Sequence, residues 1–338
     1  MTIVDVAVAA IAGAVLLLLG GIALAVFQES RPDRVPALLY HRFLHPGLRD
    51  QARALGVDLS YVTFADAFDE QMGFLERAGY APITLRDFVA WQRGEAALPA
   101  KPILITCDDG FESVHRFAWP VWRARRMKAT VFVTPDREAW NFRKHSALDG
   151  PLTPAQVREM AAGGVAIESH GMTHAYLSRL SRDQVLWELR ESKRVLEALR
   201  GEPVRFFAVP GGDYDARLRG LLQEAGYEAS FCVLKGTNRR GSDPYRLRRL
   251  TVGPDHRLED FARLLHPATC WKLRLVSTCH EWMTRVLGPQ RSERFEVALK
   301  RLGARRLFLP GAQARLWTAA ILVLGLTLVL LAAWVVLR

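Results

Sequence analysis

Ile103-Leu104-Ile105-Thr106-Cys107-Asp108-Asp109-Gly110 is the stretch on which the reading of the fold turns. An unbroken apolar and β-branched run suits a strand buried on both faces. Two adjacent carboxylates at its end mark the point where the chain leaves the core, and Gly110 permits a tight exit. Working outward, similar short β-rich runs recur at Val35 to Tyr40, Ala129 to Thr134, Val165 to Glu168, Arg205 to Val209, Glu228 to Val233 and Arg248 to Val252. Helical patterns separate them. Phe64, Phe68, Met72 and Leu75 recur at helical spacing, Asp87 to Gln92 begins another helix, and Thr153-Pro154 opens one that stops at Gly163-Gly164. Further helices are expected over Arg182 to Leu199, Ala216 to Glu224 and Leu258 to Leu265. The alternation predicts an α/β domain over residues 31–268. Arg137 to Leu152 mixes charges with Trp140 and Phe142 without a period and reads as a loop insertion. Asp108, Asp109 and His170 all fall just past the C-terminal ends of predicted strands, the edge at which α/β barrels build their sites.

The flanks have a different character. Val6 to Phe27 is 22 residues without a polar side chain, and Leu316 to Leu337 is another 22 broken only by Thr318 and Thr327. At about 1.5 Å rise per residue each helix would cover roughly 33 Å, enough to span a bilayer. Residues 1–30 are therefore expected to be an anchor and 316–338 a second transmembrane helix. A cleaved signal peptide is disfavoured, because no basic segment precedes Val6 and the apolar run is long. The formal net charge of +11 is uneven: residues 1–234 carry 27 basic and 28 acidic side chains, residues 235–316 carry 18 against 7. The excess includes Arg291, Arg294, Lys300, Arg301, Arg305, Arg306 and Arg315 in a basic juxtamembrane segment, 269–315. Anionic lipid is the simpler partner for such a stretch, and no nucleic-acid partner is expected. Arg31, Arg34 and Arg42 after the first span, with only Asp5 before it, favour a cytoplasmic domain by the positive-inside rule, which weakens for long loops. Cys107, Cys232, Cys270 and Cys279 show no CxxC spacing; unpaired structural cysteines are expected rather than a zinc cluster of Cys270, Cys279, His266 and His280.

Two segments carry chemistry. In Thr106-Cys107-Asp108-Asp109-Gly110 the adjacent carboxylates point in different directions, so one can bind a metal while the other stays free to accept a proton. The plainer reading makes Asp108 a helix cap and Asp109 a solvated loop residue. In Ser169-His170-Gly171-Met172-Thr173-His174 two histidines four apart can reach one point in a helix or tight turn. Together with Asp109 they offer one carboxylate and two imidazoles, leaving an open position for water.

These two segments, followed by Phe206-Phe207-Ala208-Val209-Pro210-Gly211-Gly212-Asp213-Tyr214, closely resemble the NodB-homology polysaccharide deacetylases, carbohydrate esterase family four. The resemblance covers roughly residues 35–265. It implies a distorted (β/α)7 barrel, here with one transmembrane helix at each end. It implies Asp108 as general base and Asp109, His170 and His174 as ligands of a divalent metal, zinc foremost. Val35-Pro36-Ala37-Leu38-Leu39-Tyr40-His41 resembles the leading segment of the poly-N-acetylglucosamine deacetylase branch, which makes His41 the candidate acid. A structural histidine at a strand end is the alternative, and His266 is a rival for the role. Three positions depart from the family pattern. Gly171 stands where Ser or Thr is common, Ala208 where many members have Arg, and Gly211 where an aromatic is usual. The base would then need another orienting partner, Arg248 or Arg249. The Gly211 N–H would remain for an oxyanion while one groove wall is lost, with Tyr214 beside it as a substrate contact.

The expected function is a membrane-anchored, metal-dependent deacetylase. It would hydrolyse the N-acyl amide of an amino sugar in a polysaccharide or lipid-linked glycan. The competing class is a catalytically inactive glycan-binding or scaffold module of a membrane assembly, with a glycan synthase or transporter as partner.

Overall fold

Seven parallel strands follow one another around a closed ring: β1 Ala37–Tyr40, β2 Pro102–Cys107, β3 Thr130–Val133, β4 Ala166–Ser169, β5 Phe206–Ala208, β6 Ala229–Lys235 and β7 Leu247–Thr251. Each pairs with the next, and β1 pairs with both β2 and β7, which closes the barrel. The computed structural model describes residues 3–57, 59–145, 148–254 and 256–287. All seven strands lie within a residue or two of the runs read from the sequence, because near-continuous apolar runs are what a strand buried on both faces requires.

The interior is filled rather than open. Ala37, Leu104, Phe132, Phe206, Ala208, Ala229, Phe231 and Leu247, from six of the strands, form one buried cluster with Phe88, Val89 and Trp91 of the Leu85–Arg93 helix. That helix is started by a capping box between Thr84 and Asp87 and ended by Gly94 in the left-handed region. Helices Pro154–Ala162 and Arg182–Arg200 carry the same device at Thr153/Gln156 and Ser181/Gln184. The ring is irregular at one seam. Between the β6–β7 pairs Leu247↔Phe231 and Arg249↔Lys235, β7 advances two residues while β6 advances four. Such a bulge bends the strand and re-aims a side chain; here it accompanies the complete burial of Arg249.

Strand exits are tied to one another by backbone hydrogen bonds that run past the strands themselves. Asp108 N donates to Tyr40 O at 2.9 Å, Thr134 N to Asp109 O at 3.0 Å and His170 N to Val133 O at 3.0 Å. The carboxylates after β2 and the histidine after β4 are thus fixed to the ends of β1 and β3. One sequence expectation needs correction: the stretch read as a loop insertion carries regular structure among its described residues. Trp140–His145 is a helix, Phe111 and Pro151 form an antiparallel bridge, and Leu152 N donates to Gly110 O at 2.9 Å. Phe142 packs edge-on against Phe111, with ring centroids 5.1 Å apart, so burial of that pair replaces the periodic apolar stripe the segment lacks.

The chain divides into two compact units, one of residues 33–265 and the other drawn from 1–32 and from 266 onward. In the second, helix Ile3–Ser30 packs against helix Pro267–Leu287, and the buried Glu29 carboxylate meets Arg274 Nε at 2.5 Å. Among the described residues no helix is long and apolar enough to cross a membrane. Of the two expected spans, Val6 to Phe27 falls in Ile3–Ser30, where side chains at 6–11, 14, 15, 17 and 18 lie outside the described set. Leu316 to Leu337 and the basic residues from Arg291 to Arg315 lie wholly outside it.

Candidate active site

At the C-terminal end of the barrel, Asp109, His170 and His174 converge, with ligand-capable atoms all within 4.8 Å of one another and all three side chains buried. Asp109 Oδ1 lies 3.1 Å from His174 Nε2 and 3.5 Å from His170 Nε2. Asp109 at φ 72° and His174 at φ 59° are two of only three non-glycine residues described with positive φ. Such backbone is costly for residues with a Cβ and persists where surrounding structure over-determines it, commonly at functional sites. The neighbours that over-determine it are identifiable. His170 Nδ1 is 2.8 Å from the Ala208 carbonyl, which accepts its proton and leaves Nε2 as the lone-pair nitrogen facing Asp109. Trp140 Nε1 donates to the His174 carbonyl at 3.0 Å while its ring sits edge-on to the His174 imidazole at 5.2 Å. Asn141 Nδ2 donates to Asp109 Oδ1 at 3.3 Å.

Asp108 points elsewhere. Its Oδ1 accepts from Arg249 Nη1 at 2.6 Å, with the two side chains 3% and 1% exposed, and its Oδ2 is 3.9 Å from His170 Nε2. Of the two arginines considered for this position, Arg249 meets the carboxylate. Arg248 donates instead to the Lys235 carbonyl at 2.9 Å. Burial pushes the Asp108 carboxyl up, but Arg249 and then His170 outweigh it and hold the group below the usual carboxylate range. Burial acts likewise on Asp109, and the two histidines hold it well below that range. For His170 burial pulls down while Asp108 and Asp109 pull up, and the carboxylates prevail. His41, at the exit of β1, packs its ring against Tyr61 at 4.8 Å. Burial lowers its pKa against the opposing pull of Asp109 and Asp108. Cys107, the last residue of β2, donates Sγ–H to the His41 carbonyl at 3.0 Å, and burial raises its thiol well above its ordinary value.

The donor set fits a divalent cation. One carboxylate and two imidazoles face a common point, His170 is held in the tautomer that frees Nε2, and two buried polar atoms at the site, His174 Nδ1 and Asn141 Oδ1, have no hydrogen-bond partner among the described residues. Asp109, His170 and His174 would hold the ion.

The three departures from the family pattern each have a local cause. Gly171 stands at φ +80°, and a Cβ there would come 3.3 Å from Glu188 Oε2. Ala208 leaves the Asp108 carboxylate to Arg249, which arrives from β7 rather than β5. At Gly211, φ +59°, a Cβ would sit 2.7 Å from Tyr176 Cε1, and the Tyr176 ring stacks on Trp140 with centroids 6.1 Å apart. Tyr214 turns to Arg246, whose guanidinium lies 5.1 Å over its ring. Burial and the Asp243 charge raise its hydroxyl to about 12. Among the described residues no hydrogen bond or ring contact joins Tyr214 to the Asp-His-His cluster. The rival acid, His266, is exposed and accepts from Ala268 N at 3.1 Å at the start of helix Pro267–Leu287, so it serves as a helix cap. No metal-capable group forms at Cys270 and Cys279 among the described residues. Sequence reasoning missed Trp140, Asn141 and Glu188. The first two sit in the segment read as a loop, and Glu188 is one charge in a helix whose polar face looked solvated.

Residues 95–230 match the family model described as polysaccharide deacetylase. YxkH of Bacillus subtilis (strain 168), assigned as a polysaccharide deacetylase, is 26% identical over 230 residues, covering 68% of this chain and 75% of its own. Among solved structures, Streptococcus pyogenes deacetylase PplD in complex with acetate superposes with a TM-score of 0.61 at 22% identity over 70% of this chain and 100% of its own. IcaB from Ammonifex degensii gives a TM-score of 0.59 at 23% identity, over 69% and 97%. At these identities the structural likenesses show the shared fold.

Proposed function

Since the chain carries a polysaccharide deacetylase domain, a hydrolase acting on N-acetyl amide bonds, we propose that it is a metal-dependent deacetylase of an N-acylated amino sugar. The observation that carries the proposal is the separation of two adjacent carboxylates into two environments. Asp109 faces His170 and His174, while Asp108 is turned away onto Arg249. Asp109, His170 and His174 would hold a divalent cation, zinc being suited to this donor set, and such an ion would supply Lewis acidity when bound.

The remaining steps belong to the protein. Asp108, kept ionised by Arg249, accepts a proton from the attacking water as its oxygen bonds to the acyl carbon. The Gly211 N–H, on the turn after β5, donates to the oxygen that gains negative charge. His41, the residue that leaves β1, gives a proton to the nitrogen as the carbon–nitrogen bond breaks. The products are a carboxylate, acetate for an acetyl group, and a free amino sugar. Tyr176 and Trp140, stacked on one another and 38% and 39% accessible as residues, supply aromatic surface beside the cluster that suits a pyranose ring.

The substrate is proposed to be a polysaccharide or a lipid-linked glycan presented at a membrane. The apolar runs Val6 to Phe27 and Leu316 to Leu337, and the basic stretch before the second, support anchoring at a bilayer with anionic lipid. The charge bias supports a cytoplasmic domain, for which a lipid-linked precursor is the fitting substrate. A reporter enzyme active only outside the cytoplasm, fused after Leu337, tests the side: activity there supports the cytoplasmic placement and its absence opposes it. Acetate release from a panel of N-acetylated oligosaccharides and lipid-linked sugars, with and without chelation, tests the activity. Release that chelation leaves unchanged would refute the metal-dependent reading. Metal binding without release from any substrate would favour a glycan-binding module.

A further inference from the structure

Three backbone N–H groups lie between the two histidines of the candidate metal site, and all three have an acceptor. Gly171 N donates to Ser169 Oγ at 3.2 Å, Met172 N to Glu188 Oε2 at 2.7 Å and Thr173 N to the same oxygen at 2.9 Å. The Thr173 hydroxyl donates to the other oxygen, Oε1. Glu188 is 3% exposed on the Arg182–Arg200 helix, and among the described residues no lysine or arginine pairs with it. One helical turn further on, Ser192 Oγ lies 2.8 Å from Ser169 Oγ and donates to the Glu188 carbonyl at 2.7 Å. The helix therefore holds the His170–His174 loop through Glu188 and the end of β4, at Ser169, through Ser192.

A buried carboxylate is expensive unless its charge is met. Here the loop's own N–H dipoles and one hydroxyl meet it, in the manner of an anion in a nest of backbone donors. Charge-assisted bonds of this kind are about twice as strong as neutral ones, and they fix the two residues that lead into His174, which stands at φ 59°. The glycine after the first histidine belongs to the same device, since a Cβ at Gly171 would press against Glu188 Oε2.

We propose that Glu188 is a positioning residue for the metal centre. It clamps the loop from behind, sets the relative placement of the two imidazoles and thereby sets the affinity for the cation. The proposal rests on the reading of Asp109, His170 and His174 as a metal site, and the test separates the two.

The test is zinc affinity of the full chain, measured by competition with a chromophoric chelator, for wild type, Glu188→Gln and Glu188→Ala. Thermal unfolding of each metal-free protein is recorded alongside. Outer-shell partners typically contribute about 10- to 100-fold to metal affinity, so Glu188→Ala should lose that much. Glu188→Gln, which keeps an acceptor but not the charge, should fall between. Wild-type affinity in folded Glu188 variants would overturn the positioning role alone, whereas a wild-type chain that binds no zinc would overturn the metal reading and the proposal with it. If neither Glu188 variant folds, Thr173→Val decides. Loss of a hydroxyl bond to a charged acceptor at a half-buried residue should weaken zinc binding about fivefold or more, and unchanged affinity would overturn the proposal.

Discussion

Arg249→Met removes a guanidinium while nearly preserving side-chain length, and it leaves the Asp108 carboxylate buried without its partner. The Nη1–Oδ1 distance of 2.6 Å and exposures of 1% and 3% put the pair far from the regime of surface ion pairs, which contribute about 0–1 kcal/mol. Removing one member of a buried pair costs about 3–5 kcal/mol, because the remaining charge is uncompensated. For a domain of this size each kcal/mol moves Tm by about 2–4 °C, so the expected fall is roughly 6–20 °C. Removing both charges should relieve much of that cost, so the double variant Asp108→Asn, Arg249→Met should be more stable than Arg249→Met alone. The assay is urea unfolding of the metal-free full chain at neutral pH for wild type, both single variants and the double. A coupling of about 2 kcal/mol or more is expected from residues in direct contact. A loss below about 1 kcal/mol in Arg249→Met, or single-variant losses that simply add, would refute the reasoning. The single variant also deletes the largest influence holding Asp108 below the usual carboxylate range. The acid limb of any Asp108-dependent rate should then move to higher pH.

The double variant His170→Ala, His174→Ala should lose stoichiometric zinc in metal analysis, and retention at the wild-type ratio would remove these residues from the ligand set. Stability in the absence of metal should fall as pH rises from about 4 to about 6. Burial raises Glu168 from 4.5 to about 6 and Asp149 from 3.8 to about 6. The native state therefore binds protons more tightly than the unfolded chain in that window, and the contribution present below the unfolded pKa is lost as each group ionises. For Glu168 it amounts to roughly 2 kcal/mol. Urea midpoints at either end of the window check the sign, and a midpoint that rises with pH across it would contradict the assignment. Gly212→Ala should unfold more readily by about 1–3 kcal/mol, since residue 212 sits at φ +66° and its Cβ would meet Val233 Cγ2 at 2.2 Å; unchanged thermal stability would count against that packing.

What the sequence made legible and what it hid follow from the range of the interactions. The seven strands were readable because burial on both faces writes an apolar run directly into the chain, as in Ile103 to Thr106. Asp108, Asp109, His170 and His174 were readable because strand ends and a four-residue histidine spacing are local patterns. The partner of Asp108 was narrowed to two arginines but not chosen, since the choice depends on the register shift between β6 and β7, which no local pattern encodes. Trp140 and Asn141 were hidden in a segment whose helix is stabilised by packing against the Asp108-Asp109-Gly110 exit rather than by its own periodicity. Glu188 looked like any other charge on an amphipathic helix. Only the folded chain shows that it is 3% exposed and bonded to a loop 15 residues earlier.

The central claim is that Asp109 serves the metal while Asp108 serves the reaction. Asp108→Asn tests it directly when zinc content and acetate release from an N-acetylated glycan are measured on the same preparation. Wild-type zinc with acetate release reduced by about 10²- to 10⁴-fold, the range of a lost general base, is the result the geometry predicts. Undiminished release, or loss of the zinc together with the activity, would contradict it.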